Sequence, residues 1–341
     1  MRIGLTFDVK GSSADDEPHF DDEEEEFDSP ETIIALQSAL QDLGHQVQLL
    51  GDGEEMLQRL LNGPQPDLVL NIAEGRGIGR SREARVPAVL EMLGIPHTGS
   101  DPLTLAVTLD KDCAKRLVRD AGLATPDWVL VEADVDDVAE RLARLPMPVI
   151  VKPAFEGSSK GVLSTSLVHD RAELLDTVAR LRQSYRQPIL VEEFIDGDEL
   201  TVGILGNDPA EVLGVMRVLP NDTTTPFVYS LEVKRDWRRR VRYECPAKLS
   251  AGDSESVARA ALNVWKTLGC RDVSRIDFRM RAGVPYFLEV NPLPGLSPVS
   301  GDLVLLAQAV GVEYPELIAR IVKSAADRYE SLSDVADCVS R

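Results

Sequence analysis

The chain has 341 residues, 43% of them hydrophobic and 28% charged, with a formal net charge of −20. That length suits two or three domains of about 100–150 residues each, and the acidity disfavours nucleic acid and anionic membrane as partners. No apolar run approaches the ~18 residues of a membrane span and the N-terminus lacks a signal-peptide core, so a cytoplasmic protein is expected. Four scattered cysteines without CxxC spacing and four scattered histidines predict neither a disulfide framework nor a zinc site.

In chain order, MRIGLTFD (1–8) reads as a buried strand. Residues 15–28, DDEPHFDDEEEEFD, hold ten acids. Such a block reads as a solvated loop, or else as a lid or a docking surface for something basic. Phe20 and Phe27 argue that part of it is pinned down. Ser29-Pro30-Glu31 starts a helix, with a capping serine, proline at the first helical position and acid in the first turn. Ile33, Ile34, Leu36, Leu40 and Leu43 form its apolar face, and Gly44 stops it. A strand over 45–51, a helix over 53–62 and a strand over 67–73 follow. Then come the turn EGRGIG (74–79), a helix over 82–93 capped by Ser81, and a short strand over 95–99. This alternation predicts an open parallel α/β sheet.

The middle section carries a helix around 108–121, a turn at TPDW (125–128) and a helix over 135–144. The strand VIVKP (149–153), a paired strand VLSTS (162–166) and a helix over 170–184 complete it. The last third is richer in strands, over 189–195, 199–205, 211–218, 273–280 and 285–291, with long helices over 252–268 and 302–327. The chain therefore divides at 1–100, 101–190 and 191–341, with a mixed α/β and α+β fold class.

Three segments carry chemistry. In VKPAFEGSSKG (151–161), Lys152 closes an apolar strand before a loop of small residues. Glycine and serine make an ordinary β-turn there; equally, backbone N–H groups and a lysine make a phosphate cradle. In RIDF (275–278) and LEVNP (288–292), strand period 2 puts Arg275 with Asp277, and Glu289 with Asn291, on one face. On adjacent strands, Asp277, Glu289 and Asn291 would converge as hard oxygen ligands suited to magnesium. The alternative, edge-strand acids facing solvent, conflicts with the apolar strands around them. Glu192, Glu193 and Glu199 in VEEFIDGDEL can bind an adenine amino group or ribose hydroxyls, or serve as surface charge.

Taken in order, LDK (109–111), VKP (151–153), EGSSKG (156–161), EEF (192–194), EVK (232–234), SRID (274–277) and LEVNP (288–292) resemble the ATP-grasp ligases. Within them the likeness is to the D-alanine–D-alanine ligase family, from about residue 66 to about residue 325. The resemblance implies an ATP-grasp fold behind an N-terminal open parallel α/β domain, and a homodimer through that domain. It implies an ATP-dependent ligase that joins a carboxylate to an amine through an acyl phosphate, with small amino acids or related molecules as substrates. Lys111 and Lys152 would contact ATP phosphates, with Ser158 and Ser159 on the closing loop. Glu192 and the Ile195 backbone would read adenine and Glu199 the ribose, with Glu193 and Leu288 beside them. Lys234 would reach the phosphates from a mobile loop. Asp277, Glu289 and Asn291 would hold two magnesium ions, or manganese. Arg275, the backbone near Gly295 and Ser158 would serve the reacting centre, and Ser300 the second substrate's carboxylate.

The resemblance breaks near the substrate. The family's N-terminal glutamate has no clear counterpart, Glu26 being the candidate. Glu74 stands where the family commonly has histidine, and would favour a cationic group. Arg235 stands where the family usually has tyrosine. It opens the basic run KRDWRRRVR (234–242), which reads as a solvated loop, a carboxylate receptor or a partner for the acidic segment. Loops 156–161 and 219–242 are the candidate lids. Retained ATP chemistry with an altered substrate pair is the expectation. The alternatives are a small-molecule kinase on the same fold and a non-catalytic nucleotide-binding protein; the chain has no GxxxxGK[ST] phosphate loop.

Overall fold

The computed structural model describes residues 1–11, 21–132, 138–222 and 226–332. Phe20 and the acids before it, residues 135–137 of one expected helix, residues 223–225 of one candidate lid, and Cys338 lie outside the described residues.

Strands β1 (Arg2–Thr6), β2 (Gln46–Gly51) and β3 (Leu68–Asn71) make a parallel sheet in the order β2-β1-β3. Helix α1 (Pro30–Asp42) begins where the Ser29 hydroxyl accepts the Thr32 N–H at 3.3 Å. It lays Ile33, Leu36, Ala39 and Leu40 against Ile3 and Leu5. Ile34, expected on that face, is 61% exposed, since its neighbour Ile33 takes the core direction and successive residues diverge by about 100°. Helix α2 (Gly53–Asn62) follows β2. The helix expected over 82–93 starts as a 3₁₀ turn, Arg82–Ala84, before α3 (Arg85–Met92), and the Ser81 side chain caps nothing. The short strand expected over 95–99 amounts to one parallel bridge, Val69 to His97.

The helix expected around 108–121 is α5 (Lys111–Asp120), and a helix not expected, α4 (Pro102–Leu109), precedes it. Asp110 is extended between them, and its carboxylate accepts the Asp112 and Cys113 N–H groups at 3.1 Å each. That cap makes Lys111 the first residue of α5. The central sheet is antiparallel, β4 (Trp128–Val131), β7 (Ile189–Glu193), β5 (Val149–Pro153) and β6 (Leu167–Val168) in that order, with α6 (Ala139–Arg144) and α7 (Arg171–Tyr185). Trp128, expected in a turn, thus starts a strand. The strand expected at VLSTS is instead a 3₁₀ turn, Ser164–Ser166, before the two-residue β6. Ser166 Oγ accepts the Leu163 N–H and donates to the Gly161 carbonyl, local bonds that compete with a ladder.

The third sheet is antiparallel, in the order β10-β9-β8-β11-β12. Its strands are β8 (Asp198–Gly206), β9 (Ala210–Pro220), β10 (Val241–Glu244), β11 (Asp272–Arg281) and β12 (Val284–Asn291). Two short helices, α8 (Leu231–Arg235) and α9 (Trp237–Arg240), precede β10, and α10 (Ala251–Leu268) precedes β11. The single helix expected over 302–327 is broken at Gly311, φ +88°, into α11 (Asp302–Ala309) and α12 (Tyr314–Ala326).

The packing cuts across the expected divisions. The 190/191 boundary falls inside β7, where Leu190 and Val191 pair with Lys152 and Val151 of β5. Ala114 and Val118 of α5 join the α10 core beside Ile276 and Phe287, while Leu303 and Leu317 of the last helices pack with Ile3 and Leu36. Among the described residues no helix is long and apolar enough to cross a membrane.

Candidate active site

Strands β11 and β12 pair with Arg275 opposite Asn291 and Asp277 opposite Glu289, and the register shifts just after Asp277. Arg275 donates to Asp277 at 2.9 and 3.2 Å and pairs with Asp302 at 3.4 Å. Thr201 donates its hydroxyl to Asp277 at 2.9 Å, and the Asn291 side-chain amide approaches the other Asp277 oxygen at 3.4 Å. From the start of α5, Lys111 pairs with Glu289 at 3.3 Å and donates to the Glu156 carbonyl. Burial opposes charge on Glu289, but Lys111, Lys152, Lys234 and Arg275 outweigh it and hold the carboxyl well below its ordinary range. Burial raises Asp277, with Glu289 adding to the rise and Arg275 opposing it. Among the described residues no three His, Cys, Asp or Glu side chains cluster as metal ligands. The local donor set is two carboxylates and the Asn291 amide.

Lys152, at the end of β5, pairs with Glu192 at 2.5 Å, and Lys115 pairs with the other Glu192 oxygen at 2.8 Å. All three are buried. Glu192 keeps Lys152 protonated against burial, whereas burial prevails at Lys115 and brings it to about 8. Lys115 escaped sequence reading although it lies one helical turn beyond Lys111. Lys111, Lys152, Glu192, Glu193, Ile195, Glu199, Lys234, Arg275, Asp277, Leu288 and Glu289 line one cleft between the two antiparallel sheets, and Ser159 edges it. Lys234 lies 5.2 Å from the centre of the Tyr229 ring. Glu199 pairs with Arg279 at 2.9 Å, and burial pushes its carboxyl up despite that arginine. Arg279 also escaped notice, though period 2 sets it on the face of Arg275 and Asp277. Glu193 pairs with Arg281 at 2.6 Å.

An adjoining cavity is lined by Glu26, Glu74, Glu83, Ser158, Asn291 and Gly295, and shares Lys111, Arg275 and Glu289 with the cleft. Glu26 accepts the Gly157 N–H and pairs with Arg82 at 2.6 Å and Lys160 at 3.3 Å. Burial works against its charge, yet Arg82 and Lys160 hold it at about 2. Glu83 hydrogen-bonds Glu74; burial first, then neighbouring acids, raise Glu83 to about 7 and Glu74 well above its ordinary value. Ser158 and Ser159 are both left-handed, φ 48° and 61°. Arg235 pairs with Glu25 at 2.5 Å, so basic loop and acidic segment meet. Ser300 is exposed and donates to the Ser297 hydroxyl at 3.1 Å, outside both cavities.

Residues 117–323 match the family described as D-ala D-ala ligase C-terminus. A protein of Sinorhizobium fredii, called uncharacterized protein y4sG, is 36% identical over 300 residues, 86% of each chain. The D-alanine–D-alanine ligase of Aquifex aeolicus is 34% identical over 296 residues, 86% of this chain and 94% of that one. Among solved structures, the D-alanine–D-alanine ligase of Bacillus anthracis complexed with ATP superposes with a TM-score of 0.73 at 25% identity, covering 96% of this chain and 98% of that chain. The VanG D-Ala:D-Ser ligase of Enterococcus faecalis, at 22% identity and a TM-score of 0.71 over 95% of this chain and 99% of that chain, shares the fold. The chain belongs to the D-alanine–D-alanine ligase family, ATP-dependent ligases of the ATP-grasp fold.

Proposed function

We propose that the protein joins the carboxylate of one small amino acid to the amine of another at the cost of ATP, releasing ADP and phosphate. The observation that carries this reading is the one cleft into which α5, β5, β11 and β12 direct Lys111, Lys152, Arg275, Asp277 and Glu289. Nucleotide binding there is supported by the likeness to the ATP-bound Bacillus anthracis enzyme. The hard oxygen donors of Asp277, Glu289 and Asn291 fit magnesium, which takes carboxylates together with phosphate oxygens. Bound there, the ion would neutralise charge on the phosphates during transfer.

Lys111, Lys152 and Lys234 would hold the triphosphate while the first substrate's carboxylate oxygen attacks its terminal phosphorus and ADP leaves. The second substrate's amine then attacks the acyl carbon, loses a proton and expels phosphate. Arg275, opening onto both cavities, is placed to stabilise the oxyanion that forms. Glu74 and Glu83, whose carboxyls burial raises, would ionise beside a substrate ammonium, because its charge offsets that burial. Glu74, where the resemblance implies a histidine, supports a substrate pair other than two D-alanines. Free thiols at Cys113, Cys245 and Cys270 support a reducing, cytoplasmic setting.

The test is phosphate release from ATP and magnesium, with amino acids offered singly and in pairs in both stereochemistries and products read by mass spectrometry. Amide product lost in Asp277→Asn is the expected outcome. Phosphate transfer to a hydroxyl with no amide would instead make the protein a kinase.

A further inference from the structure

Acids 21–28 do not behave as a solvated like-charge run. Asp22 is 4% exposed, and its carboxylate accepts the Tyr185 hydroxyl at 2.7 and 2.9 Å and the Gly161 N–H at 2.9 Å. Glu26, four residues on, takes the Gly157 N–H at the other end of the same loop. Glu25 reaches elsewhere, pairing with Arg235 of α8 at 2.5 Å and with Lys10 at 3.3 Å, while Arg235 also donates to the Asp21 carbonyl at 3.2 Å. The segment therefore grips both ends of loop 157–161 and the helix that carries Lys234. Loop and helix also hold each other: Leu231 N–H donates to the Val162 carbonyl at 2.9 Å, and the Ser159 hydroxyl to the Tyr229 carbonyl at 3.0 Å.

We propose that Asp22 and Glu25 are positioning residues that fasten the two loops over the phosphate cleft. What the cleft holds rests on the ligase reading above; the fastening does not. Two consecutive serines in the left-handed region form a backbone that persists only where its surroundings over-determine it. Carboxylates at Gly157 and Gly161 do so at both ends, and Glu25 ties the adjacent helix to the same strap. Removing Asp22 leaves the Gly161 N–H and the Tyr185 hydroxyl without this acceptor. The loop then opens, phosphates are held less well, and water reaches the acyl phosphate before the amine does.

The experiment has two arms. In the first, ATP is varied in steady-state ligation, and phosphate and amide are counted in the same reaction. Asp22→Ala is expected to raise KM for ATP about tenfold and to release phosphate in excess of amide; Tyr185→Phe does the same to a smaller degree. Glu25→Arg sets two arginines against each other on the surface and weakens coupling, and the double variant Glu25→Arg/Arg235→Glu restores it. The second arm reads amide hydrogen exchange across 157–162 and 228–235 without substrates. Faster exchange in both segments for Asp22→Ala is the expected result. Should that variant fail to fold, Tyr185→Phe and the surface charge swap carry both arms. Unchanged exchange in Asp22→Ala and Tyr185→Phe, or a double variant no better than Glu25→Arg alone, overturns the proposal. A wild type that makes no amide from any pair would sink the ligase reading, and exchange would still decide the strap.

Discussion

Lys115 offers the most direct test of the electrostatics of this cleft. It is fully buried on α5, donates to Thr125 at 3.0 Å and shares Glu192 with Lys152, so two buried ammonium groups lean on one carboxylate. Burial, only partly offset by Glu192, brings it from 10.5 to about 8. Between those values the unfolded chain binds the lysine proton and the fold does not, so stability rises with pH across that window. The gap corresponds to about 3 kcal/mol at 1.36 kcal/mol per pH unit, a penalty borne in full below pH 8. Lys115→Met keeps most of the volume and removes the proton. Urea unfolding of both chains from about pH 7 to pH 10.5 gives the difference in stability at each pH, and titrations common to both cancel. Wild type should gain about 3 kcal/mol on the variant over that span. A difference flat to within about 1 kcal/mol would refute the reasoning.

Three further outcomes are expected. Asp277→Asn should lower kcat about 100-fold or more while the melting temperature stays close to wild type, because Arg275 keeps Asp302; phosphate release and calorimetry check both. Gly161→Ala should cost about 2–4 kcal/mol, since φ is +71° and the new Cβ would stand 2.5 Å from Pro153 and 3.1 Å from Tyr185; Gly252→Ala, with nothing nearer than 3.9 Å, should not destabilise, and thermal melts separate the two. Glu83, raised to about 7 chiefly by burial, contributes stability below pH 4.5 that is lost as pH rises through 7. Glu83→Gln should therefore flatten the decline of unfolding free energy between about pH 5 and pH 8.

Legibility followed the range of the interactions. Caps and period-2 faces are local, so α1 and the Arg275/Asp277 and Glu289/Asn291 faces could be read from a few residues each. The start of α5 was misplaced where one residue's side chain decides, at Asp110, whose carboxylate caps that helix. Lys115 and Arg279 were readable from spacing alone, one turn from Lys111 and two residues from Asp277. Arg82 and Asp22 were not, and for Glu25 only the meeting of the acidic segment with the basic run could be read, not the residue pair. Their partners lie 56, 163 and 210 residues away, and a lone charge on a chain does not announce a distant counter-ion. The same limit applies to the division at 190/191, because sheet membership of β7 is set by pairing with β5 and not by composition.

The ion pairs of the cleft itself bear on how so acidic a chain can accept a triphosphate. In the cleft, Lys152 and Lys115 share Glu192, Lys111 faces Glu289, and Arg275 faces Asp277 and Asp302. Each of these cations already faces a carboxylate, Glu192 serving two of them, while Lys234 lies against the Tyr229 ring. The Lys152–Glu192 pair is short and buried, so parting it would strand a desolvated carboxylate. The Lys111–Glu289 contact, at 3.3 Å with Glu289 partly open, is the one that phosphate can take over. Once it does, Glu289 and Asp277 stand in the cleft with less cationic charge than they need. On the proposed reading a divalent cation would restore the balance, and these are the carboxylates with oxygens to offer it. ATP affinity should therefore fall at least about tenfold when magnesium is withheld with a chelator, and Glu289→Gln should shrink that dependence. Equal affinity with and without magnesium would mean that both carboxylates keep their protein partners when the nucleotide binds.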